Sequence, residues 1–186
     1  MRKVVTYHLL SMDGVAEEPG DWLFSFDDQA EANLARIIAM QDTVLLGRNS
    51  YDEWAGYWPT SDVQPFADFI NNTHKHVFTH GELGTAWQNT TAVSTSAADY
   101  VRELKARDGN DIGIHASIEL SQSLMRAGVV DEIRLVIAPT VAGSGRRLFR
   151  DNAELQKFEL IDCARSDSGL VLAGYRVAAP TIIDHD

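Results

Sequence analysis

Short apolar, β-branched runs alternate along this chain with stretches whose apolar residues recur every three or four positions. That alternation constrains the fold more than any single motif. Strands joined through helices must cross over and lie parallel, and a parallel sheet is buried on both faces. Lys3 to Leu10, with Val4, Val5 and Thr6, reads as a buried strand ended by the turn Ser11 to Gly14. Asp28, with Glu31 three residues later, is expected to cap a helix carrying Leu34, Ile37, Ile38 and Gln41 at helical spacing. Thr43 to Leu46 is the second strand, closed by Gly47, and short helices follow over Ser50 to Ala55 and Pro65 to Asn71. Strands are read at His76 to Thr79 and Thr91 to Ser94, then a helix capped by Ser96 and carrying Val101 and Leu104. Asp111 to His115 is a strand. Ser117 opens a helix that presents Leu120, Leu124 and Ala127 and stops at Gly128. Ile133, Leu135 and Ile137 mark the next strand, and Phe158 to Asp162 and Leu170 to Val177 follow it directly. Helices between the early strands and none between the last ones imply an α/β sheet with an antiparallel C-terminal edge. We expect one domain over residues 1–178 and a tail over 179–186.

With 186 residues, 45% of them hydrophobic, the chain can bury a core without disulfides or a structural metal. No run approaches the roughly 18 apolar residues of a membrane span. Tyr7, His8 and Ser11 interrupt the N-terminal apolar stretch, which argues against a signal peptide. The net charge of -11 opposes attraction to nucleic acid or anionic membrane. An anionic cofactor would need a local basic pocket. A single cysteine, Cys163, cannot form an intramolecular disulfide; it reads as a small buried hydrophobe in a strand, in a cytoplasmic protein.

Val44-Leu45-Leu46-Gly47-Arg48-Asn49-Ser50-Tyr51 runs an apolar strand into Gly-Arg and a helix start. Backbone N–H groups there attract anions, and Arg48 and Ser50 are suitable phosphate ligands; an ordinary turn with a solvated Arg48 has the same local pattern. Ile112-Gly113-Ile114-His115-Ala116-Ser117 is a second strand-to-helix junction, either a second anion site or a plain cap at Ser117. Gly143-Ser144-Gly145-Arg146-Arg147-Leu148-Phe149 reads as a tight turn whose arginines face acidic surface, rather than as a phosphate loop. His74, His76 and His80 lack the partners of a recognisable zinc spacing, so no metal is expected. Trp22, Trp54, Trp58 and Trp87 are read as core or interface residues.

Taken in order, strand–SMDGV, LLGRNSYDEWAGYWP, FTHG and IHASIELSQSLMRAGVVDEIRLVIAPTVAGSGRRLF resemble the dihydrofolate reductase-like proteins related to the C-terminal reductase domain of the bifunctional riboflavin-biosynthesis deaminase/reductase. The resemblance runs from about Met1 to Val177. It implies a three-layer fold with a mixed, mostly parallel sheet of about eight strands, and NADPH lying along the carboxyl ends of the parallel strands. By position it implies Gly47, Arg48 and Ser50 in the phosphate site, with Arg48 favouring a 2′-phosphate. Thr79 and His80 would form the adenosine wall, and Ala116, Ser117, Ile118 and Glu119 the pyrophosphate and nicotinamide loop. Tyr7, His8, Asp13 and Trp22 would lie on the substrate side. The implied reaction is hydride transfer to a small heterocyclic (pterin-, pyrimidine- or flavin-precursor-like) or carbonyl substrate, with a proton from water or from Asp13 through a raised pKa. A homodimer is expected from the same resemblance and from the apolar C-terminal strands. Family members carry glycines after the fifth-strand histidine, reading like HGSG; here Ala116 and Ile118 intervene. The alternative is therefore a non-catalytic ligand-binding scaffold with an impaired cofactor site.

Overall fold

The computed structural model describes residues 1–149 and 155–178; the tail expected over 179–186 lies outside the described residues. Strands β1 (Val4–Leu10), β2 (Gln41–Gly47), β3 (His74–Phe78), β4 (Thr90–Val93), β5 (Asp111–His115), β6 (Glu132–Ile137), β7 (Phe158–Arg165) and β8 (Val171–Val177) form one sheet. Their order is β4-β3-β2-β5-β1-β6-β8-β7. The strands from β4 to β6 pair in parallel, whereas β8 is antiparallel to β6 and β7 to β8. Helices are α1 (Asp28–Ile38), α2 (Arg48–Ala55), α3 (Phe66–Asn72), α4 (Ala97–Ala106) and α5 (Ile118–Arg126). The expected mixed sheet with an antiparallel C-terminal edge is present.

Both faces of the parallel part are covered, as its continuous apolar runs require. Val5 and Tyr7 of β1 and Val44 and Leu46 of β2 pack with Leu34, Ile37, Tyr51, Phe66 and Ile70 from α1, α2 and α3. Val4, Leu10 and Leu45 point the other way, into a core shared with Val101 and Leu104 of α4 and Leu120 and Leu124 of α5. The period-two alternation of a strand thus sorts neighbouring residues into two separate cores.

Three local expectations are corrected. Asp27, not Asp28, caps α1: its Oδ1 accepts from the Ala30 N–H at 3.0 Å, and Asp28 is already in the first turn. Gln41 is not on the helix but opens β2, paired with Asp111 ahead of a register shift. Cys163 lies on β7 as expected but is exposed, because β7 is the last strand of the sheet and nearly all of its residues are exposed.

Candidate active site at the carboxyl ends of the parallel strands

The connection leaving β2 goes outward to β3 and β4, and β5 then returns between β2 and β1. Such a reversal of strand order opens a crevice at the carboxyl ends of the strands, where open α/β sheets take their ligands. Helix α2 starts at Arg48, directly after β2, and α5 at Ile118, three residues after β5. The Gly47 N–H donates to Ser117 Oγ at 2.9 Å, so the two junctions are joined. Ser117 occupies the N-cap position of α5, but its side chain caps none of α5's own N–H groups. The first-turn N–H groups of both helices have no intrahelical acceptors and carry the positive ends of the helix dipoles.

Ala116 connects β5 to this junction with φ +55°, in the left-handed region. A non-glycine residue there is strained by roughly 1–2 kcal/mol. The chain therefore keeps a glycine-type conformation with an alanine, and the loop shape does not depend on the missing glycine. Ile118 is buried and lines a hollow of about 230 Å³ with Glu119, Gln122, Gly145, Arg146, Arg147 and Phe149.

Arg48 is held beside the loop after β3. Its Nε donates to Asp52 Oδ2 at 2.6 Å and its Nη1 to the Glu82 carbonyl at 2.5 Å. Thr79 Oγ1 closes the same loop by accepting from the Gly81 N–H and donating to the Gly81 carbonyl, with His80 exposed between them. The structure thus brings Gly47 against Ser117 and Arg48 against the loop that Thr79 closes and that carries His80; Ser50 lies in the first turn of α2, and Ile118 and Glu119 in the first turn of α5.

The four residues expected on the substrate side do not form one group. Tyr7 and His8 point to opposite faces of β1. His8 is buried, with Nε2 2.9 Å from Ser121 Oγ, which in turn lies 3.0 Å from Thr6 Oγ1. Burial pushes its pKa down to about 4, so the ring is neutral at pH 7. Tyr7 faces the other core beside His115, with ring centroids 5.9 Å apart. Trp22 belongs to that same core, and its Nε1 donates to the Glu17 carbonyl.

Asp13 corrects the expectation of a raised pKa. Ser11 Oγ donates to its Oδ1 at 2.6 Å, and the Ala142 and Gly143 N–H groups donate to Oδ1 and Oδ2. These donors, Ser11 first, favour the carboxylate and hold the pKa down to about 2. A group ionised throughout the neutral range has no proton to give. Asp13 instead ties the turn after β1 to the 140–148 loop. Glu17 does the same, accepting from the Arg146 N–H at 2.9 Å and from its Nε at 2.5 Å. The arginines of the Gly143–Phe149 segment face acidic residues, as its sequence suggests. Gly145, at φ +116°, is required there, since a Cβ would lie 2.7 Å from Val15 Cγ1.

His74 Nε2 pairs with Thr91 Oγ1 and His76 Nδ1 with the Tyr100 hydroxyl; among the described residues no three His, Cys, Asp or Glu side chains gather into a metal-sized group. No helix of the described residues is long and apolar enough to cross a membrane.

Gln41 is not read as a site residue from the sequence, and His115 only as part of the junction that ends at Ser117. His115 Nε2 lies 2.9 Å from Gln41 Oε1, and the contact passes directly over the Cβ-less Gly113. The ring also contacts Phe66 and Phe69 of α3. No local signal marks this arrangement, because Gln41 falls in phase with the preceding helix.

A sheet of this order, with two helix N-termini meeting at its crevice, defines a reductase-type α/β fold. The chain belongs to the RibD C-terminal domain family, whose model matches residues 2–172. It is 30% identical over 162 residues to the uncharacterized protein YwjB of Bacillus subtilis (strain 168), spanning 86% of this chain and 89% of that one. It is 26% identical over 183 residues to the uncharacterized protein YyaP of the same strain, spanning 94% of each. Among solved structures, a putative riboflavin biosynthesis protein from Shewanella sp. PV-4 superposes with a TM-score of 0.77 at 17% identity, covering 95% of this chain and 99% of that one. The diaminohydroxyphosphoribosylaminopyrimidine deaminase/5-amino-6-(5-phosphoribosylamino)uracil reductase of Thermotoga maritima superposes with a TM-score of 0.68 at 15% identity. The match covers 95% of this chain and 57% of that longer one. The fold and family expected from the sequence are thus established.

Proposed function

We propose that this protein is an NADPH-dependent reductase of a small heterocyclic or carbonyl substrate, formed by a single domain over residues 1–178. The observation that carries the reading is the Gly47 N–H to Ser117 Oγ contact, which brings the free N–H groups of α2 and α5 to one crevice. A dinucleotide pyrophosphate suits that paired, positively polarised cradle. Only two of the five N–H donors of Arg48 are engaged, which leaves the rest of the guanidinium for a 2′-phosphate. Ser50 lies in the first turn of α2, where its hydroxyl and backbone add to the phosphate site. Thr79 and His80 line the adenosine side, and Ala116, Ser117, Ile118 and Glu119 the pyrophosphate and nicotinamide side.

Bound NADPH would supply the hydride. The protein's own share is to orient the two reactants and exclude water. Tyr7 and Trp22 belong to the substrate side. His8 lies behind the sheet and supports β1 through Ser121. With Asp13 held ionised, water is the remaining proton source of the two considered.

Titration of the protein with NADPH and with NADH, followed by cofactor fluorescence, tests the reading. NADPH is expected to bind more tightly, and Arg48→Ala to remove at least the tenfold advantage that one lost charge-assisted hydrogen bond implies, about 1.4 kcal/mol. Failure to bind either cofactor would overturn it and return the chain to the non-catalytic scaffold. We also propose a cytoplasmic homodimer. Leu160 and Ile161 of β7 are exposed, and a second copy would cover them. Light scattering at monomer mass would exclude the dimer.

A further inference from the structure

Arg48 is a cation at the positive end of a helix. It is the first residue of α2, where the helix dipole disfavours a positive side chain. Its ion-pair partner, Asp52, stands four residues further on, with Arg48 Nε donating to Asp52 Oδ2 at 2.6 Å. That order, cation before anion, is the weaker of the two i,i+4 arrangements in a helix. Both side chains are partly open to solvent, 33% for Arg48 and 44% for Asp52, so the pair adds little to stability. Helix stability alone does not account for an arginine at this position.

The pair does fix the guanidinium. Nε is engaged by Asp52, and Nη1 gives one N–H to the Glu82 carbonyl at 2.5 Å. The Gly81 backbone lies against the same Nη1, where an added Cβ would stand 3.6 Å away. The N–H groups left over are one on Nη1 and both on Nη2. Among the described residues Asp52 is the only carboxylate paired with Arg48. An anion that takes the remaining N–H groups therefore shares the cation with a carboxylate already on it.

We propose that Asp52 is a specificity-determining residue that limits the preference of Arg48 for a 2′-phosphorylated dinucleotide, so that NADPH is favoured over NADH by a modest margin. The proposal rests on the reading of the crevice as a dinucleotide site and adds what sets its selectivity. Asp52 acts in two opposed ways. Its oxygen orients the guanidinium, which favours a phosphate, and its charge offsets the cation, which disfavours one. Asp52→Asn separates the two, because an amide oxygen still accepts from Nε while the charge is gone.

The test is titration with NADPH and with NADH at low ionic strength, where exposed charges act most strongly, followed by cofactor fluorescence. The competing interaction is an exposed ion pair, so Asp52→Asn is expected to tighten NADPH binding by roughly threefold to fivefold. NADH is expected to stay within about twofold, so the ratio of the two affinities rises. Asp52→Ala removes the acceptor together with the charge and is expected to gain less NADPH affinity than Asp52→Asn. Glu53→Gln removes the same charge from the next residue of α2, which is exposed and has no ion pair with Arg48. It is expected to change neither affinity by more than about twofold. Thermal melting confirms that the variants are folded. An NADPH affinity unchanged or weakened in Asp52→Asn, an equal gain for NADH, or an equal gain in Glu53→Gln would overturn the proposal. NADPH binding by the unmodified chain without a gain in Asp52→Asn defeats this inference alone. Absence of binding of either cofactor to the unmodified chain and to every variant defeats the reductase reading, and this inference with it.

Discussion

Tyr7 and His8 are neighbours in the chain, both buried, and face two differently built cores. On the α5 side, His8, Ser121 and Thr6 complete one another's hydrogen bonds in a closed set. On the α3 side, Tyr7, Gln41 and Trp58 leave polar atoms unpaired in an aromatic setting. The mutual contacts of the α5-side set contribute to stability. The open set leaves buried polar atoms unsatisfied, at a cost to stability. Burial alone separates neither from the other; the difference lies in which partners the tertiary fold delivers.

The sharpest way to break the comparison is acid, since it attacks a histidine on each side. Burial, first of all, lowers the pKa of His8 to about 4 and of His115 to about 3. Both are neutral in the folded protein and protonate near 6.5 when it unfolds. The stability they contribute is full above pH 6.5 and is lost as pH falls toward 4. Near pH 5 the unfolded chain holds about two more protons, so their joint contribution to the slope is about 2.7 kcal/mol per pH unit. Urea midpoints between pH 5 and 8 check this; a flat profile below pH 6.5 would mean the rings are accessible to solvent.

Gly113→Ala breaks the α3 side directly. The added methyl would lie 2.0 Å from Gln41 Oε1 and 2.9 Å from His115 Nε2. A loss of about 3 kcal/mol is expected from overpacking and the broken contact, read from chemical denaturation. Ser121→Ala is the test of the closed side. It leaves both His8 and Thr6 without a partner and is expected to cost about 2 kcal/mol. Tyr7→Phe, by contrast, deletes a hydroxyl that has no partner. Its stability is expected to stay within about 0.5 kcal/mol of the parent, or to rise. Equal losses in Ser121→Ala and Tyr7→Phe would erase the distinction between the two sides.

Between the two sides lies the strained junction. Ala116→Gly relieves the left-handed backbone but frees the unfolded chain, and the net gain is expected to be about 1 kcal/mol, seen as a higher melting temperature. A drop instead would show that the methyl makes contacts worth more than the strain.

Much of this was legible along the chain. The parallel core, the antiparallel edge and the two strand-to-helix junctions at Gly47 and Ser117 all follow from apolar spacing and from glycine and serine at element ends. Three readings failed. Gln41 kept helical phase while belonging to a strand, Cys163 looked buried while lying on an uncovered edge, and Asp13 looked like an acid while serving as a clamp. In the first two the deciding partner is distant in sequence: Asp111 for Gln41 and the end of the sheet for Cys163. For Asp13 the first donor, Ser11, is only two residues away, and Ala142 and Gly143 across the fold complete the set.

Local pattern determined what is decided within a turn or a strand: which segments are helices, which faces are apolar, and where backbone N–H groups are left free. Only the tertiary structure decided which of those features meet. It tied Gly47 to Ser117 across 70 positions, folded His115 over Gly113 toward Gln41, and turned Tyr7 and His8 to opposite cores. Hydrogen-bond satisfaction and pKa depend on neighbours brought by packing, and a linear pattern carries no record of them.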